Sequence, residues 1–433
     1  MAIPAQAMRD PTLPPFTRGD ERRYIAALVI TVSLFFLWGM ANNLNDILIA
    51  QFRKAFTLSD FGTSFVQQVF YFGYFVLAVP ASMVVRRFGY KAAIVTGLTL
   101  YGIGALLFYP AAQASVYQLF LLALFVIAAG LAFLETSANP LMTELGDPST
   151  AARRLNWAQA ANPLGAITGI LVGRFFILSG IEHDERALAA MDASARTAFY
   201  RTEVQAVAGP YVWIAVIVLA FAIAAAFVAF PKGAAEADDT PTGGRFLDVF
   251  RHPRLIGAVV AQFFYVGAQV GLWSYTIRYA QANAGFSERA GADALFVSLV
   301  LFATGRFIGT GLMARLAPVR LLAAFATVSL VLATIAGTIG GTLGLYALVA
   351  ASFFMSIQFP TIFAIGIEKL GTLRRAGASL IVMAIIGGAG LTALMGLISD
   401  RTSITHAMLV PALSFIVVLA FAITSDRSLA KTG

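Results

Sequence analysis

Four polar side chains, Asn42, Asn43, Asn45 and Asp46, fall within a turn and a half of one apolar stretch, FFLWGMANNLNDILIAQF (residues 35–52). The run around them is long enough to cross a bilayer. There an ionisable group costs about 3 kcal/mol at the helix centre unless it meets a partner or a wet cavity. Gluing one helix to another needs an amide or two and no carboxylate, so the cluster as a whole reads as a site rather than as packing. A second acid, Glu135, lies in GLAFLETSANP (residues 130–140). A carboxyl in a low-dielectric cavity resists ionisation, which suits a group that takes up and releases a proton near neutral pH.

Amides and aromatic rings recur near these acids at helical spacing. Glu135, Asn139 and Met142 stand at i, i+4 and i+7 and share a face, with Pro140 loosening the backbone beside them. Asn156, Gln159 and Asn162 form a similar stripe ahead of Pro163, and Tyr265, Gln269 and Trp273 form a third. Gln358 adjoins Pro360, and Gln67, Tyr71 and Tyr74 fall in another apolar run. Hydroxyls of a hexose need donors and acceptors while its C–H faces stack on rings, so this mixture suits a sugar. The expected sugar contacts are Trp38, Asn42, Asn43, Glu135, Asn139, Gln159, Asn162, Gln269, Trp273 and Gln358. Most of the 36 Phe are expected to face lipid or pack between helices.

These residues must be held by membrane helices. With 59% hydrophobic and 12% charged residues and a mean hydropathy of +0.80, the chain reads as an integral membrane protein. The net charge of +8 comes from Lys and Arg in short loops and does not point to nucleic acid. Cysteine is absent, which removes disulfides and thiolate chemistry. His183, His252 and His406 fall in loops or at span ends and there is no HExxH, so neither a metal site nor an enzyme is expected.

Apolar runs of about 20 residues or more mark twelve expected spans: 24–52, 62–85, 92–114, 116–145, 155–180, 209–230, 255–283, 292–314, 321–340, 342–370, 376–399 and 406–424. The first twenty or so residues lack the apolar core of a signal peptide, so the N-terminus is expected to stay in the cytosol. That choice places 20 of the 30 basic residues inside, both termini included. The polar, Gly/Pro-containing linker at 231–254 separates six-helix halves at 24–230 and 255–424, with tails at 1–23 and 425–433.

The halves repeat each other. Phe35–Gly39 (FFLWG) pairs with Phe263–Gly267 (FFYVG), and Phe133–Pro140 pairs with Phe353–Pro360. Glu144, Gly146, Arg153 and Arg154 recur as Glu368, Gly371, Arg374 and Arg375. Two six-helix repeats are the mark of the major facilitator architecture, with substrate near the midplane and one half rocking against the other. The pairing sets Asp46 against Ser274 and Glu135 against Met355, so only the first half keeps acids in the membrane.

The segments ANNLNDILIAQF, FYFGYF, GLAFLETSANP, AQFFYVGAQVGLWSYTIRYA, GRFIGTGLMARLAP, FMSIQFPTIFAIGIEKLG and SLIVMAIIGGAG together resemble the bacterial L-fucose:proton symporter family of the major facilitator superfamily, from about residue 38 to 399. That family also includes glucose/galactose and N-acetylglucosamine permeases. The resemblance implies an all-α fold of twelve transmembrane helices and uptake of L-fucose with a proton across the bacterial inner membrane. It makes Asp46 and Glu135 the proton-coupling pair and lets Gln159 and Asn162 line the sugar cavity. No cofactor is implied beyond the co-transported proton. The expected partners are the sugar, protons and the lipid bilayer, with a monomer as the working unit.

There are departures. The loop Val84–Lys91 (VVRRFGYK) lacks the Asp of the usual superfamily signature after span two, which leaves the latch of the inner gate without its acid. Arg306 lies within span eight with no partner nameable from sequence; a structural pair is the expectation for it, with a latch as the alternative. An exporter of the same fold would be greasier in its cavity, and a sensor would bind sugar without moving it. By position along their spans, Asp46 is expected toward the outside and Glu135 slightly toward the inside. That division gives Glu135 both sugar and proton and leaves Asp46 the proton cycle.

Overall fold

The computed structural model describes residues 25–56, 58, 60–145, 147–177, 191–230 and 246–430, and every regular element among them is helical. The expected tail at 1–23, residues 231–245 of the expected linker, 181–190 of the outer loop and the last three residues of the chain lie outside the described residues.

Among the described residues eleven helical stretches are long and apolar enough to span a membrane, against the twelve expected. The difference lies at Gly89. Spans two and three run as one helical assignment, Asp60–Leu106, of 47 residues. At about 1.5 Å per residue this is some 70 Å, more than twice the ~30 Å apolar core of a bilayer. Gly89 breaks it with φ 81° and ψ 174°, a conformation that favours glycine, and the chain turns back there. Span one is Ile25–Ala55, span four Tyr117–Glu144, span six Ala208–Phe227, span seven Pro253–Ala284, span eight Glu288–Leu312 and span nine Pro318–Thr338.

Several spans are built from more than one piece, and span three resumes past Leu106 as Phe108–Ala114. Span five is Ala151–Gln159 and Ala161–Val172, and span ten is Gly341–Met355 and Gln358–Ile367. In each the second piece carries a proline at its third position, Pro163 or Pro360, which lacks an N–H and crowds the carbonyl four residues back. Span eleven, Arg374–Met383 and Gly387–Arg401, is joined by a 3₁₀ turn, and span twelve is Ile404–Ala407 and Leu409–Ala430.

Glycines let the helices of each half approach backbone to backbone. A Cβ at Gly39 or Gly165 would overlap the facing main chain of Asn162 or Phe36, locking span one to span five. The repeat reproduces this joint: a Cβ on Gly387 of span eleven would overlap the carbonyl of Phe263 in span seven, and one on Gly267 would overlap Leu391. The two halves thus share one internal packing plan. What differs is the set of groups each turns toward the other.

Candidate functional site

Span five enters the site because Pro163 cannot donate to the carbonyl of Gln159 four residues before it. That freed carbonyl accepts from Arg306 Nη1 of span eight at 3.2 Å, and the Gln159 side-chain oxygen accepts from the same nitrogen at 3.1 Å. Gln159 Nε2 in turn donates to Asn139 Oδ1 of span four at 2.8 Å. A line Arg306–Gln159–Asn139 therefore crosses from the second half into the first. Arg306 is only 2% exposed, and its Nε has no partner. Its guanidinium also lies 4.8 Å from the centre of the Phe302 ring, a cation–π contact on its own helix. Arg306, for which sequence named no partner, meets Gln159 across the seam.

One turn above Asn139 on the same face stands Glu135, 5% exposed. Glu135 Oε2 is buried without a well-formed hydrogen bond, and the Asn139 amide lies beside the Glu135 carboxyl. Glu135 is in electrostatic reach of Tyr74 of span two, whose hydroxyl accepts from Trp38 Nε1 of span one. The Trp38 ring lies 6.2 Å from Phe359 of span ten, and Phe359 lies 6.4 Å from Tyr265 of span seven. Aromatic faces therefore bridge the halves beside the polar line. An acid, an amide pair and a guanidinium with free hydrogen-bonding atoms, flanked by rings, offer both faces of a sugar what it needs.

Several other expected residues make bonds elsewhere. Asn43 Nδ2 donates to the carbonyl of Gly39 in its own helix at 3.0 Å, and Asn42 is half-buried in the same turn. Asn162 Nδ2 points at the carbonyl of Phe35 in span one, at 3.4 Å. Trp273 donates to Ser352 Oγ at 3.1 Å and meets Phe302 edge to face at 5.0 Å, within the second half. Gln358 Nε2 donates to Ser329 Oγ of span nine at 3.0 Å, which turns its amide into its own half while Oε1 stays buried without a partner. Gln269 is half-buried. Asp46 lies in the span-one helix, nine residues before its end at Ala55; its side chain is outside the described residues. Glu135 lies nine residues before the end of span four, at the opposite side of the bundle.

That opposite side, where most of the basic residues gather, is where the halves are clasped. Glu144 at the end of span four accepts from the Tyr90 hydroxyl at 2.8 Å and lies 3.8 Å from Arg374 of span eleven. Arg375 Nη1 donates to the carbonyl of Val85 at the end of span two at 3.0 Å, and its guanidinium sits 4.8 Å over the Tyr90 ring. Deeper in the seam, Asn156 Nδ2 donates to Thr361 Oγ1 at 3.1 Å. The acid missing from the loop after span two is thus replaced by Glu144. Sequence reading used Glu144 and Arg374 only as repeat markers, because their meeting depends on how the halves dock. Arg306 carried one usable signal, since Pro163 leaves the Gln159 carbonyl in need of an outside donor. Phe359 carried none.

A family model described as Major Facilitator Superfamily matches residues 27–391. The chain is 45% identical to the L-fucose-proton symporter of Escherichia coli (strain K12), over 93% of this chain and 94% of that one. It is 34% identical to the L-fucose-proton symporter of Haemophilus influenzae, over 93% and 96%. Its structure is similar to the crystal structure of a Major Facilitator Superfamily transporter, FucP, in the outward conformation, with a TM-score of 0.85 and 44% identity over 93% of this chain and 99% of that one.

Proposed function

Since the chain belongs to the Major Facilitator Superfamily, and within it to the L-fucose–proton symporter family, we propose that it carries L-fucose together with a proton across the bacterial inner membrane by alternating access. The observation that carries this reading is Glu135: a carboxyl buried at the seam between the halves, one oxygen without a well-formed hydrogen bond, one turn from the amide line that ends on Arg306. Such a group couples a proton to a hydroxylated ligand through one and the same atom set.

In this reading the basic side, with Glu144, Arg374 and Arg375, faces the cytosol, and both termini lie there. The clasp at that side closes the cytosolic exit, as expected of the outward conformation in which the FucP relative was crystallised. Passage to the inward form must part Glu144 from Arg374, Asn156 from Thr361 and Gln159 from Arg306. Glu135 binds sugar and takes the proton, and Asp46, in the outer half of span one, carries the proton cycle with little sugar contact. Trp38, Asn139, Gln159 and Asn162 supply the sugar surface of the first half, and Gln269 and Trp273 that of the second, to which Gln358 offers only its unpartnered Oε1. Asn42 and Asn43 line its outer approach. The two six-helix halves move as the rocking units about the 231–254 linker, a single chain suffices, and no cofactor takes part beyond the proton.

The test is uptake of labelled L-fucose by proteoliposomes with an acid exterior, challenged with D-galactose, D-glucose, L-arabinose, D-mannose and N-acetylglucosamine. L-Fucose should compete best. No uptake of L-fucose under a proton gradient would remove the substrate reading and leave the family untouched.

A further inference from the structure

At the clasped side a groove of about 470 Å³ lies between the start of span three and the end of span six, lined by Phe88, Lys91, Ala92, Val95, Thr96 and Ala226. From Lys91 to Thr96 the helix advances about 7.5 Å, so the groove passes from a charged rim into the apolar layer. Ile223, Ala226 and Phe227 share a face of span six, and all three are exposed. Large apolar side chains exposed on a spanning helix face acyl chains, so what covers this groove is the bilayer itself.

The rim is positive and has no counter-charge of its own. The Arg87 guanidinium lies 5.3 Å from the centre of the Phe88 ring, which sets a second cation at the groove with Lys91. Neither Lys91 nor Arg87 has an ion-pair partner among the described residues, and the sequence carries no acid between Asp60 and Glu135. The corresponding loop of the second half, between spans eight and nine, differs: there Arg320 pairs with Asp426 at 3.7 Å. Inside the groove, the Thr96 hydroxyl makes no hydrogen bond among the described residues, whereas Thr99 on the same helix bonds back to the Val95 carbonyl at 2.8 Å.

We propose that this groove binds a phospholipid with an anionic headgroup. Its phosphate meets Lys91 and Arg87, one acyl chain lies along Ala92, Val95 and Ala226, and the Thr96 hydroxyl donates to an ester oxygen. A zwitterionic lipid brings the same phosphate but sets an ammonium against the same two cations. The site also touches the clasp, because Phe88, Gly89 and Tyr90 are consecutive. Phe88 lines the groove, while Tyr90 is buried on the other side of the turn, beneath Arg375 and donating to Glu144. Lipid held against Phe88 braces the turn at Gly89 that carries Tyr90, so an anionic leaflet favours the clasped form.

Native mass spectrometry of the detergent-solubilised protein, with phosphatidylglycerol or phosphatidylcholine added, measures the lipid retained. Phosphatidylglycerol should be held more tightly, and Lys91→Gln should weaken its retention about fivefold. Ala226→Phe fills the groove from a lipid-facing position, leaves every charge in place and should weaken retention at least as much. Arg315→Gln removes an exposed cation from the loop between spans eight and nine and should leave retention unchanged. In vesicles, a single cysteine introduced in the clasped seam should be alkylated more slowly with phosphatidylglycerol than with phosphatidylcholine, and Lys91→Gln should remove that difference. Equal retention of the two lipids, an equal loss in Arg315→Gln, or full retention in both Lys91→Gln and Ala226→Phe would overturn the site. Alkylation blind to phosphatidylglycerol would overturn its hold on the clasp.

Discussion

The two halves share a packing plan and divide the charges. The first keeps carboxyls in the membrane, at Asp46 and Glu135; at the corresponding positions the second has Ser274 and Met355. The second sends cations outward: Arg306 to Gln159, Arg374 to Glu144 and Arg375 to the carbonyl of Val85. The repeat counterpart of Arg375 behaves differently, since Arg154 spends its guanidinium on the carbonyls of Met142, Thr143 and Asp147 in its own half. Glu368, the counterpart of Glu144, likewise pairs at 2.9 Å with Arg254 of its own half. One half therefore keeps the membrane carboxyls, and the other supplies the guanidinium groups that reach across the seam. Duplication alone would give two equal halves, and a titrating group on both sides of the seam would leave no fixed partner for either to act against.

The comparison breaks first at its acids. Asp46→Asn, a permanent mimic of the protonated state, should abolish accumulation driven by an acid exterior while exchange of labelled L-fucose across vesicles continues. Accumulation against a gradient in that variant would move the coupling residue elsewhere. Glu135→Ala should damage sugar binding and exchange together, whereas Met355→Ala at the counterpart position should leave coupling intact. Loss of coupling in the Met355 variant would mean that the halves share the proton after all.

The amide line comes next in size. Removing one partner leaves a buried group unpaired at about 1–3 kcal/mol. Gln159→Ala, and Asn162→Ala beside it, should raise the half-saturation concentration for L-fucose roughly tenfold or more. Asn162 bonds more weakly than Gln159 in this form, at 3.4 Å, so Gln159→Ala should be the more damaging of the two. The reverse order would place the sugar nearer span one.

The smallest effects should separate the two carboxylates at the clasped side. Glu144→Gln weakens a charge-assisted hydrogen bond and an ion pair whose side chains are 12–13% exposed. It should shift the balance toward the inward form by roughly three- to tenfold, about 1 kcal/mol. Because the chain has no cysteine, a single cysteine introduced in the clasped seam reports this as faster alkylation. Glu368→Gln breaks a pair whose carboxylate is 40% exposed, within one half, and should leave alkylation unchanged. Equal responses would mean that Glu144 does not act as a latch.

Hydropathy, loop charge and the repeat were enough to lay out this protein as twelve membrane helices in two halves, because spanning length and backbone satisfaction in lipid leave few alternatives. The acids Asp46 and Glu135 were legible for the same reason: an ionisable group in an apolar span stands out against its neighbours. The stripe of Glu135, Asn139 and Met142 followed from helical spacing alone. Which groups meet was decided only by docking. Gln159 and Arg306 are 147 positions apart, and Glu144 and Arg374 further still, so no periodicity links them. Gln358 illustrates the same limit from the other side. Its span and neighbouring proline were visible in the chain, yet the break at residues 356–357 turns its amide toward Ser329, and only packed helices determine that direction.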